Sequence, residues 1–321
     1  MRGLKAACCV ALLALGSAAS AAPVAPTAPA APPPADPGGA IVSELVVQAR
    51  EPGPAWWRVE GQGSVVYILG LPDGAVPRGI AWDRSVLQRR LTGANAVIGP
   101  PGFTAGLGDL FGVLRLRAEL KSKGPMEAGL PRPLADRYAA AVARAGKRPG
   151  EWSDWQPMAA GAFLLRASRD RWQAVEPQVR GVARRQGLRV TSSARYPALP
   201  LARAAMAGMT PVVQQQCLGW ALDDVEAGEA PARRAAEGWA RGDVAVALTE
   251  PRGFDRCLLV LTGGAELWNR MASDEADDIA AALGKPGHAV ALVSLRRLLA
   301  QNGVIARLEA KGLTVKGPGE P

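Results

Sequence analysis

The chain has 321 residues, with 38 Lys and Arg against 29 Asp and Glu, a net charge of +9, one histidine and four cysteines. That inventory excludes a site built on several histidines, and a Ser-His-Asp triad would have to use His288. No Gly-x-Ser-x-Gly elbow or phosphate loop is present, and no basic stripe interleaved with aromatics, so nucleic acid is not an expected partner.

The first residues read as a leader. Arg2 and Lys5 precede an apolar run over 6–15, and Ala19-Ser20-Ala21 offers small residues for cleavage. The run is shorter than the roughly 20 residues a membrane span needs. Residues 1–21 are therefore expected to be a signal peptide, and the protein periplasmic or secreted rather than an integral membrane protein. Cys8 and Cys9 lie inside the apolar run, which argues against a lipid-modified N-terminal cysteine. Residues 22–40, rich in alanine and proline, lack the bulky apolar side chains that offset chain entropy and read as a linker. A single domain is expected over 41–317.

That domain opens on two short strands around a glycine turn, Gly61-Gln62-Gly63. Val65, Val66, Tyr67, Ile68 and Leu69 form a continuous apolar run, as in a strand buried on both faces. Gly70-Leu71-Pro72-Asp73-Gly74 breaks it and places a carboxylate where open α/β sheets bind ligands. The spacing predicts a helix over 82–91, with Trp82, Val86 and Leu87 inside. Ala96-Val97-Ile98 reads as a second buried strand, ending at Gly99. A long helical middle follows: 107–121, on Leu107, Leu110, Val113 and Leu114; 131–144; 154–167; 177–186, with Val179 and Val182 inside; and most of 201–240. Leu188-Arg189-Val190 is a brief strand. A long helix over 255–283 is interrupted at Gly263-Gly264, a buried strand covers 288–293, a helix 296–308, and Gly312 caps it before a last strand at 313–315. Strand, helix and strand in that order can form a βαβ unit.

Once the leader is gone, two cysteines remain, Cys217 and Cys257, forty residues apart. A disulfide and two buried free thiols are equally open on that spacing. Asp223-Asp224 and Asp277-Asp278 read as solvated charge. The arginine excess, in pairs such as Arg89-Arg90 and Arg233-Arg234, reads first as a solvated face; as a binding surface it suits acidic envelope surfaces or polysaccharides better than nucleic acid.

The layout resembles the TraB/GumN family, bacterial relatives of the Tiki proteins, which are described as metalloproteases. The resemblance rests on Trp57-Arg58-Val59, on Gly70-Leu71-Pro72-Asp73, on the helix beginning near Trp268, on the strand over 288–293, on Gln301-Asn302-Gly303-Val304-Ile305, and on Lys311-Gly312-Leu313-Thr314-Val315. It implies an α/β fold: a central mixed sheet from N-terminal strands and a C-terminal βαβ unit, with a long helical region between. It also implies a metal site, and there this chain departs. The family's first histidine falls on Asp73, its glutamate on Gly99 and its second histidine on Arg297; Asn269 is kept, but Trp268 replaces the arginine before it. One carboxylate cannot hold a catalytic metal. The expectation is an exported pseudoenzyme without cofactor, acting as a binding or scaffold protein on envelope polysaccharide or a protein partner, with an Asp73–Arg297 pair in place of the metal. The alternative is an active, peptidase-like hydrolase with a rearranged divalent-metal site. His288 reads as structural or solvent-facing.

Overall fold

The structure, a computed structural model, describes residues 36–42, 51–61 and 63–320. The expected signal peptide and most of the linker lie outside the described residues. From the linker stretch, Asp36 to Ala40 are described, and Asp36 is bound to the body through Arg252. No helix among the described residues is long and apolar enough to cross a membrane.

The chain opens with strands β1 (Trp56–Gly61), β2 (Ser64–Leu71) and β3 (Val76–Pro77), helix α1 (Ser85–Leu91), and strands β4 (Ala96–Gly99) and β5 (Gly102–Thr104). The middle holds α2 (Leu110–Glu119), α3 (Arg132–Arg144), α4 (Pro157–Ser168), β6 (Trp172–Gln173), α5 (Glu176–Arg185), β7 (Val190–Ser192) and β8 (Arg195–Pro197). It continues through α6 (Ala198–Ala207), α7 (Pro211–Ala227), α8 (Glu229–Ala240), α9 (Val244–Ala247) and α10 (Gly253–Val260). The end is α11 (Gly264–Ala282), β9 (Gly287–Ser294), α12 (Leu295–Leu299), α13 (Val304–Ala310) and β10 (Val315–Lys316).

The central sheet is mixed, in the order β10-β1-β2-β9-β4-β7. β1 and β2 form the expected hairpin, pairing Trp57 with Ile68 and Val59 with Val66. β2, β9, β4 and β7 run parallel, with Leu69 opposite Leu292 and Ile98 opposite Ala291. Parallel strands flanked by helices bury both faces: Val66, Ile68, Leu69, Val290, Ala291, Leu292 and Val293 are all buried. Each aliphatic side chain so placed is worth about 1.5–3 kcal/mol. The closing unit carries the chain from β9 through α12 and α13 to β10, which adds to β1 at the far edge and not beside β9.

Two boundaries differ from expectation in ways that matter. The helix read over 296–308 is two helices with a turn at 300–303 between them. The turn is closed by the Gly303 N–H donating to the Ala300 carbonyl at 2.7 Å, and it is packed so closely that a side chain at Gly303 would meet the Arg297 carbonyl at 2.3 Å. The helix read from Trp82 starts at Ser85, where the Asp83 carboxylate accepts from the Ser85 N–H. The break at Gly263-Gly264 is present: Gly263 is left-handed at φ 79°, a conformation that favours glycine. A second core, under α3, α4 and α7, packs Tyr138, Leu164, Leu218 and Leu222. Cys217 of α7 and Cys257 of α10 are joined by a disulfide, tying that helical layer to the segment beside the sheet edge.

Candidate functional site

Because β2, β9 and β4 are parallel and in register, their C-terminal ends meet at one edge, with Leu71 opposite Ser294. The loop after β2 presents Asp73, β9 ends at Ser294, α12 presents Arg296 and Arg297, and β4 ends at Gly99, with Pro100 following. Together with α10 they border a cleft of about 360 Å³ whose walls include Asp73, Arg252, Asp255, Trp268, Arg296 and Arg297.

Of the charged groups there, Asp73, Arg252, Arg296 and Arg297 each have an identifiable counterpart. Ser294 caps α12, accepting from the Arg297 N–H at 3.4 Å, and its hydroxyl donates to Asp73. Arg296 lies 3.7 Å from Asp73 and donates at 2.7 Å to the Leu248 carbonyl. Arg297 is buried, and both arms of its guanidinium donate to Glu275, at 2.6 and 2.8 Å. Burial pulls the Arg297 pKa down; the Glu275 carboxylate more than offsets this and leaves it above its ordinary value. The expected Asp73–Arg297 pair is therefore re-partnered: Asp73 faces Arg296, and Arg297 belongs to Glu275. Arg252 is held by both oxygens of Asp36. Behind the cleft, burial pushes the Glu250 carboxyl up to about 8, with Asp73 and Asp255 adding to it. Asp255 is open to the cleft, yet it too is pushed up, first by the surrounding protein and then by Asp73.

Gly99 has no free space for the family's glutamate. A side chain there would meet Val190 Cγ1 at 2.7 Å and Arg180 Nη2 at 3.1 Å. Among the described residues no three His, Cys, Asp or Glu stand where they could share a metal ion. With guanidinium groups at Arg296 and Arg297, the residues present do not fit a metal centre.

Sequence reasoning missed Glu275, Glu250 and the role of Arg296. For Glu275 there was a signal: it falls between Ala272, Ala276 and Ile279, on the buried stripe of α11. A carboxylate on a core stripe calls for a partner. Asp224 is a further correction. It is buried, not solvated, and accepts from the Gly253 and Phe254 N–H groups at 2.8 and 3.1 Å, capping α10. Asn269 accepts from Arg307 at 3.5 Å.

His288 sits at the other end of β9, opposite Val65. Six residues of strand, about 20 Å, separate it from the edge carrying Asp73. There a larger cleft, about 570 Å³, is bordered by Trp56, Arg58, Tyr67, Arg89 and Arg90. Its polar groups are turned on one another: His288 Nε2 is 2.9 Å from the Arg90 carbonyl, and Arg90 stacks 4.6 Å from both the Trp56 and Tyr67 rings while pairing with Glu51. The larger cleft therefore holds the one imidazole, and the smaller one holds the positions marked by the strand ends.

The sequence profile of the TraB/PrgY/gumN family matches residues 55–317, which takes in the whole sheet and every residue lining the cleft at its C-terminal edge. Neither a curated protein nor a solved structure matches the chain.

Proposed function

The chain belongs to the TraB/PrgY/gumN family, and from that premise we propose that it is an exported binding protein of the cell envelope in which the family's metal-dependent hydrolase site has been replaced by a charge-paired cleft. The observation that carries this reading is the Arg297–Glu275 pair. It fills with a buried guanidinium the place where the resemblance puts a histidine, while Val190 and Arg180 close the place of the glutamate. A cation does not settle beside arginines whose carboxylates are already committed. Export rests on the leader-like pattern of Arg2, Lys5 and residues 6–21.

The cleft offers an acceptor at Asp73, donors at Arg252 and Arg296, and an apolar wall of Trp268, Leu258 and Leu259. Donors and acceptors facing an indole suit a sugar ring, which presents hydroxyls at its rim and C–H groups on its face, so envelope polysaccharide is the favoured ligand.

Two measurements test this. Metal analysis with metal-titrated thermal shift should find no stoichiometric ion and no stabilisation, since a native-state ligand raises stability with the logarithm of its concentration. A bound ion that disappears in Asp73→Ala would restore the hydrolase reading. Calorimetry against envelope oligosaccharides should then find a ligand whose affinity drops at least tenfold in Asp73→Ala and in Trp268→Ala. An unchanged affinity in both variants rules out this cleft as the site.

A further inference from the structure

The segment 107–123 stands apart from the rest of the surface. Its first eight residues contain Leu107, Leu110, Phe111, Val113 and Leu114 with one carboxylate, Asp109; its last nine contain Arg115, Arg117, Lys121 and Lys123 with one, Glu119. All five apolar side chains are exposed, Leu107 to 99% and Phe111 to 83%, and they make up most of the exposed large hydrophobics among the described residues. Surfaces rarely leave such side chains contiguous without a use. The helix touches the body closely at Gly112, where a side chain would meet Leu199 of α6 at 2.3 Å. The rest of α2 stands proud, apolar at its start and cationic at its end.

We propose that this ridge is a membrane-surface anchor that inserts its apolar start into a bilayer of anionic lipid. The geometry matches that environment along the helix axis. From Leu110 to Arg117 is seven residues, about 10 Å at 1.5 Å per residue. Interfacial helices that lie in the membrane plane bury an apolar face about 5–10 Å into the headgroup and acyl boundary, a depth that the apolar start of α2 reaches end-on. With Leu107, Phe111 and Leu114 at acyl depth, Arg115 and Arg117 stand at the level of the lipid phosphates, and Lys123 follows beyond the helix end, while Lys121 pairs with Asp154 over the Trp155 ring. Charge decides between this occupant and two others. A second copy docked about a two-fold axis parallel to α2 would set like cationic collars against each other, and one docked antiparallel would leave the cations in water. An acidic polysaccharide would engage the cations and leave Leu107 and Phe111 in water. Anionic lipid alone uses both halves. This anchor lies on α2, away from the cleft residues, and its test does not depend on a cleft ligand.

The experiment is vesicle co-sedimentation of the purified protein and its variants, all with the same N-terminus. The vesicles are phosphatidylcholine, alone or with one-third phosphatidylglycerol. The protein should bind the anionic vesicles, and the double variant Leu107→Ser/Phe111→Ser should bind at least tenfold more weakly with an unchanged melting midpoint, since both side chains are exposed. Lys123→Glu should weaken binding about fivefold per cation lost, and raised salt should do the same. If the double variant does not fold, Lys123→Glu and the salt dependence carry the test. Equal binding by the double variant, or no binding by the parent, overturns the proposal. Self-association that the double variant dissolves, without vesicle binding, assigns the ridge to a second copy and also overturns it.

Discussion

The two ends of the strand pair β2–β9 handle arginine in opposite ways. At the N-terminal end, Arg90 is compensated by two aromatic faces and an exposed Glu51, and His288 bonds a carbonyl. At the C-terminal end, Arg297 is compensated by a carboxylate that is 1% exposed, and Arg296, Arg252, Asp36 and Asp73 continue a chain of opposite charges. The difference is one of consequence. Removing a ring face loses a contact worth about 0.5–2 kcal/mol, whereas removing a buried counter-ion leaves an uncompensated charge in a medium that solvates it poorly. The C-terminal edge is thus the rigidly specified end, although it too opens to a cleft.

The largest effect should come from breaking that edge. Glu275→Ala strands Arg297 in the core and should destabilise the fold by about 3–5 kcal/mol in urea denaturation. The double variant Glu275→Leu/Arg297→Leu, which replaces the pair by apolar volume, should recover most of that loss. If Glu275→Ala costs less than about 1 kcal/mol, the pair is solvated and the contrast between the two ends disappears.

The sequence made the hairpin, β4 and β9 legible because continuous β-branched and aliphatic runs have few other uses in a domain of this size. It also placed Asp73, Gly99 and Arg297 at one edge, since each follows a buried strand. The partners were not legible. Glu275 lies 22 residues before Arg297, and only its misfit with Ala272 and Ile279 hinted that it faces inward. Asp73 pairs with Arg296 and not Arg297 because α12, capped at Ser294, turns the two adjacent arginines apart, one to Asp73 and the other to Glu275. In α2 the apolar spacing of Leu107, Leu110, Val113 and Leu114 correctly signalled a helix, but periodicity does not say whether anything covers the face it describes. Asp224 was misread for a related reason: whether a carboxylate on α7 is solvated depends on where α10 begins, which the disulfide and the fold decide.

A smaller effect sharpens the contrast through pH. The Glu250 carboxyl behind the cleft titrates near 8 in the fold, against 4.5 ordinarily. Below pH 4.5 both folded and unfolded chains hold the proton and the group contributes no pH dependence. As pH rises from 4.5 to 8, the unfolded chain gives up the proton that the folded chain keeps, so stability falls through this window and levels off above it. The slope cannot exceed roughly 1.4 kcal/mol per pH unit for one group, and Asp255, shifted the same way, adds to it. Glu250→Gln should flatten most of this slope in melting curves taken at successive pH values. A slope unchanged in Glu250→Gln places its source elsewhere.

The smallest effect belongs to the one histidine. If the N-terminal end is held by soft contacts, His288→Ala removes one hydrogen bond to the Arg90 carbonyl and one edge-on contact with Tyr67, whose ring centroid is 5.9 Å away. The hydrogen bond is worth about 0.5–1.5 kcal/mol net. Arg90 and His288 both border the adjoining cleft, so removing the imidazole opens a path for water to the carbonyl it leaves. The loss should therefore stay near 1 kcal/mol, well below that of Glu275→Ala, and cleft affinity about 20 Å away should not move. A loss of 3 kcal/mol or more, or a tenfold fall in binding of the cleft ligand, means that β2 and β9 transmit strain from end to end. The two ends would then be one cooperative site, and the lone imidazole would act on the chemistry of an edge it does not touch.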